Sequence, residues 1–87
     1  MIYRVVIDPD LASTCRKLRA KSPARYEQLK KKIRFLVENP ESGKLLHHPL
    51  KGQWRVHIGH FILFYVIDSK ENTIIFLKLV PHDEAYN

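Results

Sequence analysis

Three short apolar runs crowd the second half of the chain: Trp54-Arg55-Val56-His57-Ile58, Phe61 to Ile67, and Thr73 to Val80. Gly59-His60 links the first two, and Asp68-Ser69-Lys70-Glu71-Asn72 links the last two. β-Branched and aromatic side chains dominate the runs, and a two-residue link containing glycine marks a tight hairpin. The stretch predicts a three-stranded antiparallel meander, so the rest of the chain must cover one of its faces.

With Gly59-His60 as the loop, Ile58 pairs with Phe61 and His57 with Ile62. Alternation then sends Trp54, Val56, Ile58, Phe61, Leu63, Tyr65 and Ile67 to one face, joined by Ile75, Leu77 and Leu79 from the last run. Arg55, His57, Ile62, Phe64 and Val66 take the other face, with Phe76 and Lys78 beside His57. The first face is apolar enough to bury. The second is a mixed, open surface.

The cover comes from upstream. Ile2 to Ile7 is short, apolar and β-branched, and reads as a strand. Asp8-Pro9 ends it and opens a helix, with Asp8 as N-cap and Pro9 at the first helical position. Leu11, Cys15 and Leu18 give that helix one narrow apolar stripe. Ser22-Pro23 repeats the start signal, and a second helix places Tyr26, Leu29, Ile33, Leu36 and Val37 on one face until Asn39-Pro40 stops it. Pro40 to Gln53 lacks periodicity and reads as a long loop carrying Gly43, His47-His48, Pro49 and Gly52. The expected fold is α+β: a two-layer βααβββ domain over residues 1–87, with an antiparallel sheet packed on an αα-hairpin. Trp54, Tyr65 and Tyr26 belong to its core.

A chain of 87 residues has a small core, yet nine aromatic side chains and 45 % hydrophobic residues argue for a folded globule. No apolar run approaches the roughly 18 residues of a membrane span, and no signal peptide opens the chain. Cys15 is the single cysteine, so there is no internal disulfide, and a cytoplasmic setting is expected. Its place on a buried stripe argues against a cysteine nucleophile. The net charge of +6 is uneven: residues 11–56 carry 12 basic and 3 acidic side chains, against 2 and 4 in residues 57–87. Such an excess suits a polyanion or an acidic protein partner, or else is a solvated helix face.

Histidines supply the chemistry. Of five, His57 points outward from a strand, His60 sits in the hairpin turn, His48 precedes the meander and His82 follows it. One imidazole can act as base while another acts as acid near neutral pH. Lys78 and Arg55 can hold a phosphate, while Tyr86 and the Phe side chains can stack on bases. These suit cleavage of RNA by its own 2′-hydroxyl, which uses no metal or other cofactor. A zinc site at His57-x-x-His60 is disfavoured because no cysteine accompanies it and the pair straddles a turn.

The Pro49-Leu50-Lys51-Gly52 run, the stretch from Trp54 to Asp68, and the closing His82-Asp83-Glu84-Ala85-Tyr86 resemble the RelE/ParE superfamily of type II toxins. The resemblance covers nearly the whole chain and is loosest over the helices. It implies a ribosome-dependent endoribonuclease that cuts mRNA in the A site, and a cognate antitoxin that wraps and blocks the same surface in a hetero-oligomer. Arg55 and His57 stand where RelE has two lysines, Ile62 replaces the strand arginine that stabilises its transition state, and His82 replaces its arginine-rich ending. The histidine-using YafQ-like branch matches better. His48, His57 and His82 occupy its histidine places, Lys78 an arginine place and Tyr86 a phenylalanine place.

By this resemblance His82 is the general acid, and His48 or His57 the base or the group orienting the 2′-hydroxyl. Lys78 and Arg55 bind the scissile phosphate, Tyr86 positions the base, and His60 and Lys51 contact the substrate. No C-terminal helix is expected to cap the site. Two other readings stay open: a ParE-like inhibitor of DNA gyrase, or an inactive toxin that only binds its antitoxin.

Overall fold

Residues 3–38 fold as their local signals dictate. In the structure, a computed structural model describing residues 3–47 and 52–85, β1 (Arg4–Ile7) leads into α1 (Pro9–Lys21) and α2 (Pro23–Glu38). The Asp8 carboxylate accepts the Asp10 N–H at 2.9 Å and caps α1. Ser22 ends one helix and begins the next: its N–H donates to Leu18 O and its carbonyl accepts from Tyr26 N. Pro23 then fixes the first turn of α2. A single shared residue leaves the helices no choice but to fold back on each other.

The interval read as a loop holds a short 3-10 turn (Pro40–Ser42) and a two-residue strand, β2 (Lys44–Leu45). Then come β3 (Gln53–Ile58), β4 (Phe61–Asp68), β5 (Thr73–Pro81) and a one-turn helix, α3 (His82–Ala85). The sheet order is β1-β5-β4-β3-β2. The layered α+β design stands, but the sheet is mixed rather than antiparallel throughout, because β1 runs parallel to β5. Parallel neighbours need a long crossover between them, and everything from α1 to β4 serves as that crossover here. The expected absence of a C-terminal helix is also corrected by α3, whose four residues are too few for any apolar period to announce.

The hairpin register is the one expected, with Ile58 opposite Phe61 and His57 opposite Ile62. Gly59 takes the first turn position with φ 60, the geometry that favours glycine there. The β4–β5 ladder breaks between Phe64 and Tyr65: Phe64 pairs with Lys78 but Tyr65 with Phe76, leaving Leu77 as an extra residue on β5. This bulge inverts the alternation expected for residues 73–76. Ile74 and Phe76, not Ile75 and Leu77, enter the core.

That core lies between the helices and one sheet face, where Leu11, Leu29 and Leu36 meet Ile58, Leu63, Tyr65, Ile74, Phe76 and Leu79. Cys15, Leu18, Ile33, Val37 and Trp54 pack around it, while Tyr26 is half-buried at the side with Lys30 over its ring. Trp54, Tyr65 and Phe76 form an aromatic line, with centroids 6.2 and 5.8 Å apart. Tyr65 also ties down the segment after α2, because its hydroxyl donates to Pro40 O at 2.8 Å and accepts from Gly43 N at 3.2 Å. A Cβ at Gly43 would collide with that hydroxyl and with the Arg55 carbonyl, so the close approach requires glycine.

Candidate functional site

The face turned away from the helices is laid out in two rows, because residues paired across a sheet share a side. The first row runs Lys44, Arg55, Phe64, Lys78 across four strands. Lys78 Nζ lies 5.1 Å from the Phe64 ring centroid, so the cation is held over an aromatic face instead of ranging freely in solvent. Phe64 is almost fully buried beneath its neighbours. Three cationic side chains around an apolar centre make a surface for a phosphate or another anion.

The second row is two residues along: His57, Ile62 and Val80. His82 follows Val80 by two residues, and the His57 and His82 rings stack with centroids 5.5 Å apart at 29°. Ile62 lies in the row between them and is fully buried. Two imidazoles well separated in sequence thus form one exposed pair beside an apolar row. Backbone geometry holds the newcomer, since the His82 N–H donates to His60 O at 2.8 Å. Asp83 Oδ1, on a fully exposed side chain, stands 4.0 Å from His82 Nδ1.

The structure therefore brings together His57, His82, Arg55 and Lys78, and places His60 beside them in the turn. His60, Gly59, Pro81, His82 and Asp83 line a cleft of about 360 Å³ at the hairpin end of the sheet. His48, Lys51 and Tyr86 lie outside the described residues. Phe76 leaves the site: expected beside His57, it is fully buried in the core, because the bulge at Leu77 reverses its side. Phe61 faces the helices, with the Arg25 guanidinium 5.6 Å from its ring centroid.

Cys15 is half-buried, and desolvation pushes its thiol up against the opposing pull of Arg16, which keeps it a poor nucleophile. Among the described residues, no group of three or more His, Cys, Asp or Glu side chains could hold a metal ion. No described helix is long and apolar enough to cross a membrane.

Sequence reasoning missed two features. Lys44 joins the cationic row only because β2 adds to the edge of β3, and two residues carry no period to reveal it. On α2, Lys31 and Lys32 entered only as part of the basic excess and Phe35 was not singled out, yet all three flank a groove that ends at His57. The exposed Phe35, out of phase with the Leu29–Ile33–Leu36 stripe, was the available signal.

The chain and its fold have counterparts among known proteins. Residues 3–86 match the family model of the ParE toxin of the type II toxin–antitoxin system parDE. A protein of Methanocaldococcus jannaschii named as toxin RelE4 is 33% identical over 86 residues, covering 98% of this chain and 92% of that protein. A chain of the toxin–antitoxin complex RelBE2 from Mycobacterium tuberculosis superposes with a TM-score of 0.82 at 23% identity, covering 93% of this chain and 99% of that one. A chain of the archaeal RelE–RelB complex from Pyrococcus horikoshii gives a TM-score of 0.73 at 24% identity, covering 94% and 97%. At those identities the two structures speak for the fold.

Proposed function

The chain belongs to the RelE/ParE superfamily of type II toxins, and from that premise we propose that it is a ribosome-dependent endoribonuclease that cuts mRNA in the A site. One observation carries this reading: the stacked pair His57–His82 beside the Arg55–Phe64–Lys78 row. Attack of a 2′-hydroxyl on the adjacent phosphorus needs a base for the proton it loses, an acid for the departing 5′-oxygen, and positive charge for the crowded phosphorane.

His57, fixed on a central strand, or His48 takes the proton from the 2′-hydroxyl. His82 gives one to the 5′-oxygen. Lys78 and Arg55 hold the scissile phosphate, with Lys44 extending that row, while His60 and Lys51 contact neighbouring nucleotides and Tyr86 stacks on a base. In-line displacement puts attacking and leaving oxygens on opposite sides of phosphorus, and each must come within about 2.6–3.2 Å of its proton-transfer group. Rings stacked on each other do not straddle a phosphate. The substrate therefore parts them, and α3, a single turn hung on the hairpin, is the element that yields.

An antitoxin is the expected protein partner, as in the toxin–antitoxin complexes to which the fold is similar. It would act by covering the histidine face.

The match to the ParE model favours one alternative, a gyrase inhibitor with the same fold. Tightly controlled expression with 5′-end mapping on a translated reporter mRNA separates the readings. New codon-linked 5′ ends that vanish in His82→Ala are expected, with a loss of about 10²-fold or more in cleavage. Growth arrest with intact mRNA would point to gyrase, and absence of toxicity to a protein that only binds its antitoxin.

A further inference from the structure

The apolar stripe of α2 is complete without Phe35: Leu29 and Leu36 are buried, and Ile33 and Val37 pack against the core. Phe35 nevertheless stands 50% exposed on the helix, with Lys32 Nζ 5.7 Å from its ring centroid. A lone exposed aromatic is ordinary. This one borders a groove of about 440 Å³, within the roughly 300–1,000 Å³ typical of small-ligand sites. Gln28, Lys31, Lys32 and Phe35 form the helix wall, and His57 to Gly59 of the hairpin form the other. His57 belongs both to this groove and to the stacked pair, so the two sites are continuous. Among the described residues, no acidic side chain lines the groove, and the nearby Glu27 carboxylate is engaged with Lys30 at 3.2 Å.

We propose that this groove is a second nucleotide subsite, in which Phe35 stacks on an unpaired base of the RNA while Lys31 and Lys32 take its phosphate. The requirements are specific. The ligand must present a flat apolar face to the ring, carry negative charge for two ammonium groups, and offer polar edges to the Gln28 amide. A nucleotide of single-stranded RNA meets all three. Stacking tolerates any base, so the subsite sets the path of the strand away from His57 and not its sequence. The proposal rests on the reading of the histidine face as an RNA-cleaving site, because the shared His57 is what makes the bound nucleotide a neighbour of the scissile one.

The test uses an end-labelled RNA hexamer, 2′-O-methylated throughout so that it is not cut, titrated with the purified chain and followed by fluorescence anisotropy. Phe35→Ala should weaken binding roughly 5- to 100-fold, and Phe35→Trp should restore it, which a merely structural role would not produce. Lys31→Gln with Lys32→Gln should flatten the salt dependence of log affinity by about 0.7 for each phosphate that is no longer neutralised.

A parent chain that does not bind the hexamer overturns the proposal. So does a Phe35→Ala affinity within about twofold of the parent. A Phe35→Ala variant that loses only its affinity for an acidic protein partner, with RNA binding intact, overturns it as well. Reporter mRNA mapping keeps the two claims apart. Cleavage that is insensitive to Phe35, with unchanged hexamer affinity, sinks the subsite alone. Phe35-dependent binding by a chain that leaves mRNA intact sinks the cleavage reading alone.

Discussion

Ile62 and Leu63 are neighbours on β4, both fully buried, and they are buried by different things. Leu63 lies under two helices, in a core closed by Leu11, Leu29 and Leu36 from distant parts of the chain. Ile62 lies outside that core cluster, in the row with His57 and Val80 on the face where His57 and His82 stack. The first kind of burial cannot be undone without unfolding. The second lies on a face that carries exposed imidazoles, one of them on a single helical turn, the kind of segment that opens locally. The function proposed above, in which that face admits a substrate and an inhibitory partner, calls for the second kind.

Substitutions can break or sharpen this contrast. The largest loss is expected from Phe76→Ala, about 3–5 kcal/mol in chemical denaturation, because Phe76 is a fully buried core ring. A loss under about 1 kcal/mol would return Phe76 to the open face, where strict alternation puts it. Next comes the neighbouring pair. Leu63→Ala should cost about 2–5 kcal/mol, and Ile62→Ala should fall toward the low end of that range, since the histidine face can relax into the space or admit water. Equal losses would mean that both faces are packed alike.

Tyr65→Phe removes a hydroxyl that bonds Pro40 and Gly43 and should cost about 1–3 kcal/mol. Burial pushes the Tyr65 phenol up, with the Gly43 N–H pulling the other way. A folded pKa above the unfolded one means that the unfolded chain loses its proton first as pH rises. This contribution is thus full below about pH 10 and lost as pH climbs through the raised folded value. Denaturation midpoints measured at rising pH should show that decline in the parent and lack it in Tyr65→Phe. The smallest effect belongs to His82→Ala, within about 0.5 kcal/mol in stability, because the half-exposed ring covers the second face without holding it.

Much of this was legible before the structure. A two-residue hairpin loop leaves one register, so the sides of Arg55, His57, Ile62 and Phe64 followed by counting. Asp8-Pro9, Ser22-Pro23 and Asn39-Pro40 bounded the helices because each carries its own local chemistry. What escaped had no local chemistry to read. β2 and α3 are shorter than any period. Parallel pairing of β1 is settled by how the chain returns, not by its side chains. The site was half legible: His57 and Lys78 could be placed by alternation, but the contact between His57 and His82 depends on how a strand ends. The groove at Phe35 needed the hairpin and α2 to be side by side before it existed.

The extra residue at Leu77 has a further consequence. β5 is written in two frames, one from Thr73 to Phe76 and another from Lys78 onward, with Leu77 as the seam between them. Composition does not set which side chains reach the cationic row; residue count does. The strand should therefore forgive many exchanges of one residue for another, and of changes in length only the loss of the seam itself. Excising Leu77 would close the bulge and leave both frames as they are, with Phe76 inward opposite Tyr65 and Lys78 outward opposite Phe64.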